Sequence, residues 1–137
     1  MHDPAYYASK AGLDKLAASY AEHFAPFNVS AVSLWPGFVA TETMVELANS
    51  DPKTRALRDT LGFESPEFCG RVVWALFSDP NLKTLSGSTL LTAEVGEHYN
   101  IIDNNGHIPK SLRQLYGNPP AEHDIMNKQA GTENKKM

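Results

Sequence analysis

The chain has 137 residues, 42% of them hydrophobic and 20% charged, with a formal net charge of -4. That length holds one domain with a core of its own, and the proportions are those of an ordinary globular protein. An acidic chain with scattered basic residues offers no electrostatic footprint for nucleic acid, and the clustered Lys128, Lys135 and Lys136 fall in a polar tail where solvated charge accounts for them.

A single cysteine, Cys69, excludes an internal disulfide and, lying among apolar residues, reads as packing. His2, His23, His98, His107 and His123 share no metal spacing with one another or with Cys69, so no metal site is expected. No stretch approaches the ~18–20 apolar residues of a membrane span, and the first residues lack the basic region and apolar core of a signal peptide.

Asp3 before Pro4 is a helix start: an N-cap acceptor ahead of a ring that suits the first helical position. Leu13, Leu16, Ala17, Tyr20 and Phe24 recur at spacings of three and four, one apolar stripe, and Pro26 closes the helix. Residues 28–34 read as a strand with both faces fairly apolar, as a strand covered on both sides of a sheet requires. Pro36 and Gly37, in "WPGFVATET", break it. About twenty-five mixed residues follow, the length of a lid or binding loop, with short helices over 43–48 and 52–61.

Ser65 before Pro66 repeats the start signal, and Phe68, Val72, Val73, Leu76 and Phe77 form a second stripe that ends ahead of Asp79-Pro80. Residues 88–93, "STLLTA", read as a short strand. Beyond them come a turn at Asn104-Asn105-Gly106 and a short helix over 110–115. Residues 118–137, with Pro119-Pro120 and few apolar side chains, read as a disordered tail. The order helix, strand, lid, helix, strand predicts an α/β fold over 1–117, in which a crossover helix joins two strands into one right-handed parallel unit.

Tyr6 and Lys10 stand one helical turn apart in "YYASKAGLDKL", at i and i+4 on one face. A phenol with a pKa of ~10 is a poor general acid near neutrality. An ammonium ~4 Å away, at an effective dielectric of ~20, favours the phenolate by about 4 kcal/mol, or roughly three pKa units, as an upper range. The pair alone is weak, since shuffling this composition yields about 0.3 such pairs and a surface helix pair is the plain reading.

Its surroundings narrow the choice. Ser9 precedes the lysine, Ala11-Gly12 follows it, and after one helix and one strand comes Pro36-Gly37-Phe38-Val39-Ala40-Thr41. This pattern resembles the C-terminal half of a short-chain dehydrogenase/reductase, and "SPEFCGRVVWALFSDP" and "LSGSTLL" look like that family's next two elements. The resemblance runs from Tyr6 to about Pro109.

The resemblance implies the C-terminal half of a Rossmann-like doubly wound parallel sheet, and an oxidoreductase that moves hydride between NAD or NADP and a small-molecule carbonyl or alcohol. Tyr6 would be the catalytic acid or base, and Lys10 would lower its pKa and hold the nicotinamide ribose hydroxyls. Pro36 and Gly37 would turn the chain beneath the nicotinamide, with the Val39 backbone and the Thr41 hydroxyl binding its carboxamide. Tyr7, about 100° around the helix, would be packing or pocket wall. Met44, Val45 and Leu47 would belong to the substrate lid, or to a helix burying its own apolar face. A cytoplasmic location, with association to the endoplasmic reticulum, and a homo-oligomer are what it allows.

The nine glycines are dispersed, and none forms the glycine-rich turn that brings a backbone against a pyrophosphate. The chain therefore reads as the back half of a longer enzyme. Its 28–34 strand is expected to leave an apolar edge open, which makes the chain marginally stable or self-associating. The competing expectation is a non-catalytic interaction module that binds a partner chain through that edge and the stripe from Leu13 to Phe24.

Overall fold

The computed structural model describes residues 3–113 and 117. Helices dominate, and two short strands, β1 (Ser33–Trp35) and β2 (Thr89–Leu91), pair in a parallel two-stranded sheet. The described residues divide into two compact units, 3–34 with 80–90, and 35–79 with 91–113 and 117.

In the first unit α1 (Pro4–Phe24) begins as the sequence predicts, the Asp3 carboxylate accepting from Ala5 N at 2.7 Å. Its buried residue is Asp14, which accepts a hydrogen bond from the Ser33 hydroxyl at 2.6 Å. The predicted stripe behaves otherwise: Leu13, Leu16 and Tyr20 lie exposed. A 3-10 turn (Ala25–Phe27) and Asn28, in the left-handed conformation at φ 62°, end the helix. The strand predicted over 28–34 shrinks for a visible reason. Val29 N still bonds to Phe24 O, and Ala31 is tied to a turn, its N–H to the Ser86 hydroxyl and its carbonyl to Gly87 N. Those backbone groups are satisfied outside a strand ladder, which begins only at Ser33. A one-turn helix, α5 (Leu82–Leu85), precedes β2.

The second unit holds α2 (Glu42–Ser50) and α3 (Pro52–Leu61), each capped by the side chain before it, Thr41 and Asp51. These extend the predicted 43–48 helix at both ends and match the predicted 52–61. α4 (Pro66–Ser78) is capped by Ser65, and its Phe68, Val72 and Leu76 are buried at i, i+4 and i+8. Val73 and Phe77, predicted beside them, lie exposed with Trp74, because the buried stripe is one residue wide. The predicted strand 88–93 is overtaken after Leu91 by α6 (Thr92–His98). That helix lies close on Phe68, since a Cβ added at Gly96 would stand 2.5 Å from the ring's Cζ.

Past α6 the chain turns at Asn104-Asn105-Gly106, where Gly106 takes φ 80° and donates to Asp103 O at 2.9 Å. Asp103, buried, receives Ser65 N at 2.7 Å, the Ser65 hydroxyl, Asn104 N at 2.6 Å and Arg71 Nη2 at 2.9 Å. A loop beyond the helix thus grips its N-cap residue. Of the helix predicted over 110–115, Lys110 and Ser111 are non-helical, and 114 and 115 lie outside the described residues. So do the predicted tail 118–137 with Lys128, Lys135, Lys136 and His123, and His2. Among the described residues no helix is long and apolar enough to cross a membrane.

Candidate functional site

The predicted site residues fall into two sets, one in each compact unit. On α1, the Asp3-Pro4 start fixes the register: Tyr6 N and Tyr7 N both reach back to Asp3 O, at 2.9 and 3.4 Å. One turn on, the Lys10 ammonium stands over the Tyr6 ring, 5.4 Å from its centroid. A cation in that position is attracted by the ring's negative face, by about 0.5–1 kcal/mol where water has access. Access is present here, with Tyr6 44% exposed. Tyr7 packs edge-on against Tyr6, the centroids 5.8 Å apart, and Ser9 folds its hydroxyl back onto the Tyr6 carbonyl at 2.7 Å. Tyr6 and Lys10 therefore form one face, with Tyr7 as a side wall.

The second set lies on the bend after β1. Pro36 ends the strand, and the segment behind it is pinned to residue 64: Glu64 N donates to Phe38 O and Ala40 N donates to Glu64 O, both at 2.8 Å, a short parallel bridge between Val39 and Glu64. Thr41 N turns back to Val39 O at 2.8 Å, and the Thr41 hydroxyl accepts from Met44 N at 3.4 Å as the cap of α2. Val39 and Thr41 are thus held by backbone hydrogen bonds on the segment that follows Pro36 and Gly37. Met44 is half-buried on α2, whereas Val45 and Leu47 lie exposed.

Beneath the bend sits a group the sequence reading missed. The Glu64 side chain, 1% exposed, accepts Gly37 N–H on Oε1 at 2.9 Å. Thr92 Oγ1, fully buried at the start of α6, stands 2.7 Å from Oε1, 2.9 Å from Oε2 and 3.3 Å from the Trp35 carbonyl. Burial pushes the Glu64 carboxyl above the usual carboxylate range and the Asp103 charge adds to this, against the hydrogen bonds from Thr92 and Gly37 that pull it down. Gly37 has no room for a side chain, because a Cβ there would lie 2.8 Å from Glu64 Oε1.

No protein-family model matches the chain. Searching curated proteins gives Dehydrogenase/reductase SDR family member 1 of Mus musculus, 38% identical over 121 residues, which take in 84% of this chain and 39% of that protein. The protein of the same name in Homo sapiens is 37% identical over 112 residues, 77% of this chain and 36% of that protein. The chain belongs to the SDR family. It spans about two fifths of the length of these SDR relatives.

Within this SDR chain, burial pushes the half-buried Cys69 thiol up, as suits a packing residue and not a nucleophile. Among the described residues no group of histidine, cysteine and acidic side chains is arranged to hold a metal. An open cleft of about 370 Å³ in the first unit, walled by Ala18, Ala21, Ala25, Ser30 and Ser86, is lined by none of the six predicted site residues. Glu64 and Thr92 lie in no sequence motif, and they meet across 28 residues. The available hint was a lone acid wedged between Phe63 and a helix cap, a position where solvent is scarce.

Proposed function

We propose that this chain carries the proton-transferring and nicotinamide-facing residues of an SDR oxidoreductase acting on a carbonyl or alcohol with NAD(H) or NADP(H). The observation that carries the reading is the Lys10 ammonium seated over the Tyr6 ring on an exposed helix face. SDR relatives named as dehydrogenase/reductases support it. The donor set suits a nicotinamide nucleotide. Lys10 offers N–H donors to ribose hydroxyls, and the Thr41 hydroxyl, which spends a lone pair on Met44 N, keeps its proton for a carboxamide oxygen. The Val39 backbone supplies the neighbouring contact, and Pro36-Gly37 turns the chain so that no side chain intrudes.

The bound nicotinamide supplies or accepts the hydride. Tyr6 donates its phenolic proton to the substrate oxygen as the carbonyl carbon is reduced, and takes that proton back when an alcohol is oxidised. The Lys10 ammonium lies on the same helix face as the phenolate left behind, and the proton is then replaced from solvent. With no glycine-rich turn in its 137 residues, this chain is not assigned the pyrophosphate. Cytoplasmic placement and self-assembly belong to the same reading.

Titration of the chain with NADH and NADPH, followed by nicotinamide fluorescence, tests the proposal together with turnover on a panel of aldehydes and ketones. A saturable change is expected with at least one cofactor, and Tyr6→Phe is expected to lower turnover by about 10²–10⁴-fold while leaving the fluorescence response in place. A flat titration with both cofactors overturns the reading in favour of an interaction module, and so does turnover that survives Tyr6→Phe.

A further inference from the structure

We propose that Glu64 is a positioning residue acting as a neutral carboxylic acid, whose proton completes a hydrogen-bonded clamp on the backbone either side of Pro36. Around Thr92 Oγ1 stand three oxygens, Glu64 Oε1 at 2.7 Å, Glu64 Oε2 at 2.9 Å and the Trp35 carbonyl at 3.3 Å. An ionised carboxylate only accepts, so all three would compete for the single hydroxyl proton. Placing a proton on Oε2 reduces the competition. Oε2–H donates to Thr92 Oγ1, the Thr92 proton goes to the Trp35 carbonyl, and Oε1 accepts from Gly37 N–H at 2.9 Å while keeping its 2.7 Å approach to Thr92 Oγ1.

The clamp runs from Trp35 C=O through Thr92 and Glu64 to Gly37 N–H and so spans Pro36, which has no N–H with which to fix its own position. Its surroundings favour the neutral acid. Glu64 is 1% exposed and Thr92 fully buried. The titratable group whose charge acts on Glu64 is Asp103, which is negative. The guanidinium groups of the same unit are engaged elsewhere, Arg55 with the Ala48 and Asn49 carbonyls, Arg58 with Asp59, Arg71 with Asp103 and Asn104, and Arg113 with Glu94. On α4 Glu67 takes the Asn104 amide, and on α6 Glu94 takes Ser111 as well as Arg113. No cation among these faces Glu64, so an unshared negative charge there would be costly.

Since the folded carboxyl titrates above its ordinary 4.5, the clamp stabilises the fold in full below that pH and is lost as pH rises through the raised value. If the proposed function is right, the bend under the nicotinamide is then set by an acid that must keep its proton. This last step rests on that function; the clamp itself does not.

Infrared spectra of the chain across a pH series rising from the ordinary carboxylate range test the clamp. One carboxylic-acid carbonyl stretch should outlast the others as pH rises in the wild type and be missing from Glu64→Gln. Glutamine reproduces the neutral acid's pattern, an oxygen for Gly37 N–H and an N–H for Thr92, so Glu64→Gln should keep the wild-type urea midpoint at low pH and lose the decline toward neutrality. Thr92→Val should lower that midpoint and shift the Gly37 amide resonance. Absence of the acid band overturns the proposal, as does a Glu64→Gln chain that unfolds far more readily than wild type or fails to fold. The cofactor titration is read separately. An acid band with a flat titration keeps the clamp and removes the enzyme reading, while a responsive titration without the band does the reverse.

Discussion

Replacing Asp103 with alanine tests whether the entry to α4 is held from outside the helix. Asp103 is 4% exposed and accepts from Ser65 N, the Ser65 hydroxyl, Asn104 N and Arg71 Nη2. Removing the carboxylate strands those donors, and deleting one partner of a buried charged pair costs about 3–5 kcal/mol. The Arg71 side chain is 40% exposed, so water recovers part of its solvation and the expected loss is at the lower end, about 3 kcal/mol. With a urea slope of roughly 1.5 kcal/mol/M this lowers the midpoint by about 2 M, read from the fluorescence of Trp35 and Trp74. A pH series supplies a second reading. Burial pushes this carboxyl up, but the hydrogen bonds from Ser65 and Asn104 and the Arg71 charge outweigh it and leave it below 3.8. Its contribution is therefore present above 3.8 and lost as pH falls through the lower folded value, and the alanine variant should lack that acid-side decline. A midpoint shift under about 0.5 M, or an acid-side decline as steep as wild type, refutes the reasoning.

Gly96→Ala places a methyl 2.5 Å from the fully buried Phe68 ring, and should destabilise by about 1–3 kcal/mol in thermal unfolding despite alanine's better helix propensity; an unchanged or raised melting temperature would show that α6 has room to move. Tyr99 donates to Asp79, and burial together with that bond pushes its phenol up to about 12. Alkaline absorbance titration should show a late-ionising tyrosine that Tyr99→Phe removes, and the stability it lends, lost in wild type as pH rises from 10 toward 12, should not fall in the variant; a full set of tyrosines titrating near 10 would contradict this. Asp103→Asn removes a charge that helps raise Glu64, so the acid band of Glu64 should fade at a lower pH than in wild type, and an unmoved fading point would mean that burial alone sets it.

The helices were legible because their starts are local. Asp3-Pro4, Asp51-Pro52 and Ser65-Pro66 each place an acceptor before a ring, and each opens a helix at the proline. The strands were less legible, because the apolar run at 28–34 says nothing about what pairs with it, and Ser86 and Gly87 satisfy Ala31 before a ladder can form. Exposure of Leu13, Leu16 and Tyr20 was equally hidden, since periodicity names a face without saying whether a layer covers it.

The same distinction divides the site. Tyr6 and Lys10 could be found by spacing because one turn of helix brings them together whatever the rest of the chain does. Thr41 is similar, a cap three residues from the amide it serves. Glu64 reaches Gly37 across 27 residues and Thr92 across 28, and Asp103 reaches Ser65 across 38. No pattern within a segment encodes such meetings; they exist only once the bend, the entry to α4 and the start of α6 are packed. Both acids end at that junction, yet their carboxyls are pushed in opposite directions. Asp103 collects donors and a guanidinium and is held ionised, while Glu64 meets one amide and one hydroxyl and is pushed toward its neutral form. Two acids of nearly equal intrinsic strength are separated by the donors that folding brings to each, and that difference in partners fixes which of them can brace the bend with a proton.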